Sequence, residues 1–300
     1  MPKGTFEIAS GAEIQNSGKT FHVGRVAGAG NLGGSCTFSN GTSVGANTWQ
    51  VGNDDDWSTS VKVTSNANFV KVGAGRITWS GASTNTGSTQ IKNGELCVTS
   101  NGKLGTGLLT VAEGATLSGA NTTSKALTNS AYTINGTLRP GASATASSGT
   151  LFFGGKNVTL NATSTLVINA QSCATSNVAG CTAIDGINTL TINGTIRIQP
   201  VRNNTLQEGD SIRIFNATRF TGNPAVEGID GIEWDATRIA EGLLFVKHIN
   251  TAVSPVTLHS SPATKGVIYD LRGRLVRQST NTEGLKPGFY LIDGRKIVIK

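Results

Sequence analysis

The sequence contains few of the large apolar side chains that usually fill a compact core. Among its 300 residues, 10 are Phe, 4 are Trp, 3 are Tyr and 1 is Met, and hydrophobic residues make up 37%. This fraction is low for a globular core but higher than that of a disordered tract. Almost no stretch has apolar residues at positions i, i+3, i+4 and i+7, so we expect very little helix.

Long apolar segments are also missing. No run reaches the 18 apolar residues that indicate a membrane-spanning helix, so we expect no membrane-spanning segment. The first residues, Met1 to Glu7, lack the apolar region of a signal peptide. If the protein is secreted, we therefore expect this chain to be the C-terminal part of a longer protein.

The positive charge is concentrated at one end of the chain. The net charge is +7, of which residues 265–300, with eight basic and three acidic residues, carry +5. Residues 1–264 hold seventeen basic and fifteen acidic residues, a net charge of +2. A nucleic-acid-binding protein is expected to carry basic residues interleaved with aromatics on its folded face. The nearly neutral body therefore argues against nucleic acid as a partner.

Cysteine is scarce, and its spacing does not favour zinc. The four cysteines are Cys36, Cys97, Cys173 and Cys181, and they lack the close pairs of a zinc site. Cys173 and Cys181 flank a small polar loop. Two interpretations stay open for this pair: a disulfide formed in an oxidising compartment, or two buried free thiols.

Short β segments separated by turn residues make up most of the chain. Gly occurs 39 times, and Asn-Gly occurs five times. Asn-Gly between alternating strands is typical of hairpins in an antiparallel sandwich or barrel. Asn and Gly also suit the corners of a right-handed parallel β-helix, where single residues adopt positive φ. The long repeat, the polar alternation and the scarce aromatics favour an all-β parallel β-helix.

Residues 68–98 support this interpretation, because they resemble the autotransporter-associated β-strand repeat of secreted β-helical passenger domains. The positions that match the repeat are Lys71, Gly73, Gly75, Ile77, Trp79, Gly81, Gly87, Asn93, Gly94, Leu96 and Val98. Trp79 stands where the family usually has Leu, which predicts that its ring points into the coil. We expect the β-helical domain to span residues 1–249, with a C-terminal cap from about residue 206 and a linker at 250–264.

The end of the chain resembles a second family, the C-terminal sorting domain of type IX secretion cargo. The matching residues, in order, are Tyr269, Asp270, Gly273, Arg274, Gly288, Tyr290 and Lys300. The resemblance implies that residues 265–300 form a small β domain that the secretion machinery recognises. It also implies a protein that is secreted or held at the outer-membrane surface of a Gram-negative bacterium.

Candidate chemistry in the body is sparse. Asp54, Asp55 and Asp56 are either a Ca²⁺ site of hard oxygen ligands or a solvated loop. No other cofactor is indicated. Trp49 and Trp57, which are flanked by polar loops, are either a stacking surface for sugar rings or core residues.

A catalytic site has little support. No Gly-x-Ser-x-Gly elbow occurs, and the three histidines are scattered. Glu95, Glu113 and Asp185 could meet as paired carboxylates on stacked coils, although nothing in the sequence singles them out.

We therefore expect a non-catalytic β-helical stalk or scaffold that is exported through its C-terminal signal. Two alternatives remain: the accessory region of a secreted polysaccharide lyase similar to pectate lyases, and an adhesin that binds an extracellular glycan.

Overall fold

The structure is a computed structural model that describes residues 4–36, 41, 45–99, 101–171, 180–201, 206–250, 266–270, 272–292 and 295–300. The chain divides into two compact units, Met1–Asn250 and Thr251–Lys300. The expected linker at 250–264 lies outside the described residues except for Asn250.

The first unit is built almost entirely of short strands. Its first half contains β1 Thr5–Ile8, β2 Glu13–Asn16, β3 Thr20–Val23, β4 Arg25–Gly28, β5 Asn31–Ser35, β6 Thr48–Val51, β7 Trp57–Thr59, β8 Lys62–Val63, β9 Asn68–Lys71, β10 Arg76–Trp79, β11 Ala82–Ser83, β12 Thr89–Ile91, β13 Glu95–Val98, β14 Lys103–Leu104 and β15 Leu109–Val111.

The second half continues with longer strands. It contains β16 Thr116–Gly119, β17 Ala131–Ile134, β18 Thr137–Pro140, β19 Gly149–Leu160, β20 Thr165–Gln171, β21 Gly180–Ile192, β22 Thr195–Pro200, β23 Ser211–Arg213, β24 Phe215–Gly222, β25 Ala225–Glu227, β26 Ile232–Asp235 and β27 Leu243–Ile249. In the described part of the chain the helical segments are two short 3₁₀ turns, Thr123–Lys125 and Ile239–Glu241.

These strands stack as the coils of a parallel β-helix. One parallel ladder runs β3-β6-β9-β12-β15-β17-β19-β21-β24, and a second runs β7-β10-β13-β16-β18-β20-β22-β25. A third side is formed in the early coils by the parallel sets β2-β5-β8 and β11-β14. The expectation of an all-β parallel β-helix with a small C-terminal β domain is confirmed.

Aliphatic side chains stack along the inside of the second ladder. Five register neighbours in consecutive coils are fully buried: Leu96, Leu117, Leu138, Leu166 and Ile196. Each buried side chain of this size contributes roughly 1.5–3 kcal/mol of hydrophobic free energy. These side chains belong to one continuous hydrophobic core that runs through the stacked coils, so neighbouring coils stabilise each other.

Two of the Asn-Gly dipeptides form corners of the coil rather than hairpins. Asn135-Gly136 joins β17 to β18 and Asn193-Gly194 joins β21 to β22, and these strands pair with neighbouring coils instead of with each other. A Cβ at Gly136 would lie 2.2 Å from Ala112 O, and one at Gly194 would lie 2.2 Å from Ser164 O. Glycine is required at both corners because the coils approach so closely.

An antiparallel sheet lies within residues 211–249, in the segment where the sequence predicts a cap. Strands β23, β27 and β26 pair in that order, and Ile212, Leu244 and Val246 are buried. Half-buried side chains from 229–249, including Ile232 and Trp234, pack against the core. Apolar side chains of this region thus shield the core near the last coils from water.

The second unit is a four-stranded antiparallel sheet. Its strands are β28 Ile268–Asp270, β29 Leu275–Arg277, β30 Gly288–Ile292 and β31 Arg295–Ile299, and they pair in the order β29-β28-β30-β31.

Candidate functional site

The Asp-x-x-Gly-Arg segment of the second unit forms the turn between β28 and β29. Asp270 Oδ1 accepts hydrogen bonds from the backbone N–H of Arg272 at 2.9 Å and of Arg274 at 3.0 Å. Arg274 Nε donates to Asp270 Oδ2 at 2.8 Å. The backbone N–H of Arg274 is the main reason that the pKa of Asp270 lies below its ordinary value. Gly273 has a φ of +74°, where other residues are strained.

The remaining motif residues meet this turn across the sheet. Tyr290 lies opposite Asp270, and its hydroxyl donates to Lys286 O at 2.9 Å. Tyr269 lies opposite Leu291, and Gly288 pairs with Ile299 next to the chain end at Lys300. Residues that are far apart in the motif are therefore neighbours in one small sheet.

One face of this sheet carries exposed apolar groups beside positive charge. Phe289 and Val298 lie directly opposite each other and are 50% and 57% exposed. Lys296 Nζ lies 4.4 Å from the centroid of the Phe289 ring. Lys296 therefore adds a positive charge to this exposed apolar pair.

In the first unit, the acidic triplet lies at the corner between β6 and β7, and its side chains stabilise the next coil. Asp54 Oδ1 accepts a hydrogen bond from Ala74 N at 3.0 Å, and Asp56 Oδ1 accepts one from Arg76 N at 2.7 Å. These two carboxylates therefore cap backbone donors of the following corner.

The middle member of the triplet has another partner, so the three carboxylates do not share a ligand-binding centre. Asp55 Oδ2 forms an ion pair with Arg25 Nη2 at 2.6 Å. Within the described ranges, no group of three His, Cys, Asp or Glu side chains is arranged to hold a metal ion. The Ca²⁺ site at residues 54–56 stays a prediction without geometric support.

The two candidate tryptophans have different environments. Trp49 is 1% exposed, its Nε1 donates to Gly33 O at 2.8 Å, and its ring contacts that of Phe21 edge-on at 5.6 Å. Of the two alternatives for Trp49, this burial supports the core position, because the ring lies inside the coil. Trp57 is half-buried, and its Nε1 has no hydrogen-bond partner among the described residues. A glycan contact at Trp57 stays a prediction.

Cys181 is a half-buried thiol in the last coils. Its Sγ donates to Arg213 O at 3.0 Å, and burial raises the pKa of this thiol to about 11. The structure gives Cys181 as a free cysteine, whereas Cys173 lies outside the described residues. The disulfide between them therefore stays a prediction.

The three candidate carboxylates belong to different elements. Glu95 lies on β13, Glu113 is exposed after β15, and Asp185 lies on β21, where it accepts a hydrogen bond from Asn216 Nδ2 at 2.9 Å. Glu95 and Asp185 have different partners, and among the described residues neither a hydrogen bond nor strand pairing joins them to Glu113, so the three carboxylates do not form one shared site.

Sequence reasoning missed the cluster around Glu95. Glu95 Oε1 lies 2.6 Å from Arg139 Nη2 and 3.3 Å from Arg76 Nε, and Ser118 Oγ donates to the same oxygen at 2.5 Å. Arg76 also donates to Cys97 Sγ at 2.8 Å. Burial opposes the charge of Arg76, but Cys97 and the nearby carboxylates together raise its pKa.

This cluster fastens a loop to the outside of the coil. Arg76 Nη2 donates a short hydrogen bond to Ala142 O in the loop between β18 and β19, and Cys97 Sγ lies 3.8 Å from the same oxygen. The useful signal in the sequence was the coil repeat, since Arg76 and Cys97 are 21 residues apart. Arg76 Nε and Arg139 Nη1 are buried without a hydrogen-bond partner among the described residues, so the cluster is not fully satisfied. Its observed bonds join side chains of several coils to the loop at Ala142.

Lys71 is a second group that sequence reasoning did not recognise as buried. It is fully buried in the first ladder, as the register neighbour of Val51 and Ile91. Its Nζ donates to Val72 O at 3.0 Å, Gly73 O at 2.7 Å and Asn93 O at 2.9 Å. Burial lowers the pKa of Lys71 to about 8, although Asp54, Asp56 and Glu95 oppose the shift.

No model of a known protein family matches the chain, and no curated protein matches it. The described residues also contain no helix that is long and apolar enough to cross a membrane. The two units, a parallel β-helix and a small antiparallel β unit, are thus the basis for a functional proposal.

Proposed function

We propose that the chain is a secreted, surface-anchored stalk whose last residues are the signal for its export. The first unit serves as a rigid shaft, and residues 265–300 are recognised by a secretion machinery of the type IX kind.

The observation that carries this proposal is the strand pairing of Asp270 with Tyr290. A linear signal needs no defined fold, but here the residues of the motif define one turn and the strand opposite it. Such a unit suits a receptor that reads a folded shape, and its exposed basic and apolar face suits a docking surface.

The shaft role is supported by how the first unit uses its polar groups. Asp54, Asp56 and Lys71 bond to backbone groups of the adjacent coils, and Glu95 joins side chains of several coils. These contacts hold coils together, which is what a shaft requires of its polar groups.

Export of the whole chain tests the proposal. The chain would be placed behind a cleavable signal peptide in a bacterium that has a type IX system, and surface protein would be measured by protease treatment of intact cells. We expect the parent to reach the surface, and a variant that lacks residues 266–300 to remain folded in the periplasm.

A matched pair of glycine variants separates the signal from general damage. Gly273 and Gly209 both have positive φ, +74° and +88°, with nothing within 4 Å of an added Cβ. We expect Gly273→Val to block export and Gly209→Val to permit it. Surface display of Gly273→Val at the level of the parent, together with display of the shortened chain, would refute the proposal.

A further inference from the structure

A row of threonines follows the outer face of the first ladder. Five register neighbours in consecutive coils are threonines, and all are partly exposed: Thr110, Thr133, Thr159, Thr191 and Thr221. In the first four of these coils the residues directly before and after the threonine are buried. Because side chains alternate between the two faces of a strand, these threonines point out of the coil.

A row of asparagines runs beside the threonines. Four of the strands continue as Thr-x-Asn, which places these partly or fully exposed residues side by side: Asn135, Asn161, Asn193 and Asn223. Asn161 Nδ2 donates to Asn135 Oδ1 at 2.6 Å, and the hydroxyl oxygens of Thr191 and Thr221 lie 2.8 Å apart. These bonds between coils, together with the restricted χ1 of a β-branched side chain, keep the two rows ordered.

The two rows belong to a surface without charges or aromatic rings. We define the threonine face as the outward positions of β15, β17, β19 and β21 and of the residues that flank them: Leu108, Thr110, Ala112, Ala131, Thr133, Asn135, Asn157, Thr159, Asn161, Thr189, Thr191 and Asn193. None of these residues is charged or aromatic. The face therefore offers no ring on which a sugar could stack and no charge for an ionic ligand.

The polar groups of the threonine face form a two-dimensional array. Neighbouring strands of a sheet lie about 4.8 Å apart, and residues two positions apart on one strand are separated by about 6.6 Å. Each distance is within roughly a tenth of a repeat distance on the prism face of ice. The array can therefore hold water molecules at positions that an ice crystal continues.

The second ladder has the same spacing but not the same chemistry. It also carries a row of threonines: Thr116, Thr137, Thr165 and Thr195. Beside this row lie Arg139 and Arg197, and Arg76 of the same ladder bonds to the loop at Ala142. Only the first ladder combines the regular spacing with an uncharged surface.

We propose that the threonine face is a binding site for ice. Its hydroxyl and amide groups hydrogen-bond to water at the spacing of the crystal surface, and the threonine methyl groups pack between these waters. The proposal concerns the first unit alone and does not depend on how the chain is exported.

Partition of the full chain into slowly grown ice tests the proposal. Ice would be grown on a cold surface in a dilute solution of the protein, and the protein would be quantified in the ice and in the remaining liquid. We expect the parent to be enriched in the ice. Thr159→Lys combined with Thr191→Lys should lower this enrichment at least about tenfold, because two charges would lose their hydration at the ice surface.

The matched control places the same substitutions on the second ladder. Thr165→Lys combined with Thr195→Lys alters register neighbours as Thr159→Lys and Thr191→Lys do, and should leave the enrichment unchanged. Circular dichroism establishes that each variant is folded. If a double variant is not, Thr159→Tyr and Thr165→Tyr give the same comparison, because tyrosine favours strands.

Three results would overturn the proposal. The first is exclusion of the parent from the ice, and the second is an equal loss of enrichment from substitutions on the two ladders. The third is a parent that binds crystalline cellulose through Thr159 and Thr191 while its partition into ice does not depend on them.

Discussion

Lys71 and Asn93 connect two consecutive coils through a buried hydrogen bond. The ammonium group of Lys71 donates to the Asn93 carbonyl oxygen at 2.9 Å, and its other two bonds go to the corner that follows β9. The ladder position is otherwise aliphatic, with Val51 before it and Ile91 after it. A charged side chain there is retained because its head group satisfies three carbonyl groups at a tight corner.

Replacement of this lysine should be costly. Lys71→Met keeps the volume but leaves buried carbonyl oxygens without a donor, so we expect the free energy of unfolding to fall by roughly 2–3 kcal/mol. Urea unfolding followed by circular dichroism measures this loss. Lys92→Met is the control, because Lys92 is exposed on the next coil and its replacement should change stability by less than about 0.5 kcal/mol.

The same lysine predicts a pH dependence. The pKa of Lys71 is about 8 in the folded chain and below its ordinary value of 10.5, so between these values the unfolded chain binds more protons than the folded chain. Stability contributed by this residue should therefore rise as pH increases through this window. The parent should gain stability relative to Lys71→Met between these pH values. If the difference in free energy of unfolding between parent and variant stays constant or shrinks over this range, the pKa of Lys71 is not lowered in the folded chain.

Replacement of Glu95 should lower the stability of the folded chain strongly, because its carboxylate is the centre of a cluster of charged side chains. Glu95→Ala leaves Arg139, which is 7% exposed, without its charged partner, and we expect a loss of roughly 3 kcal/mol in the free energy of unfolding.

Glu227→Ala is the matched control for this variant. It breaks the ion pair between Glu227 and Arg197, whose side chains are 53% and 47% exposed, respectively. The free energy of unfolding should fall by less than about 1 kcal/mol. Equal losses in the two variants would mean that burial does not distinguish the two ion pairs.

Replacement of the two candidate tryptophans should lower the free energy of unfolding by different amounts, as measured by urea unfolding. Trp49→Ala removes a buried ring and should cost about 3–5 kcal/mol. Trp57→Ala removes a half-buried ring and should cost clearly less. A larger loss for Trp57→Ala than for Trp49→Ala would contradict the assignment of Trp49 to the core.

The stacked-coil fold could be predicted because its signals are local and repeated. Alternating apolar residues, Asn-Gly corners and the repeat around Ile77 and Leu96 all predict short strands separated by corners. Ile77 and Leu96 are register neighbours in consecutive coils. The inward position of Trp79 followed from the same repeat and is confirmed, since Trp79 is fully buried.

The burial and partners of individual polar and aromatic side chains were harder to predict, because they depend on the register between coils. Trp49 has polar neighbours in sequence, but its place opposite Phe21 and Phe69 puts it in the interior. Likewise, Glu95 finds Arg139 only after coils of particular lengths have stacked. No local sequence pattern predicts the number of residues in each of these coils.

The measurement that tests the central claim most directly is the transfer of residues 251–300 to an unrelated reporter. The reporter would carry a signal peptide, and its display would be measured by protease treatment of intact cells with and without a working type IX system. Our account predicts surface display only when the system is present, and loss of display with Gly273→Val in the transferred segment. A reporter that stays in the periplasm in every case would contradict the assignment of this segment as the export signal.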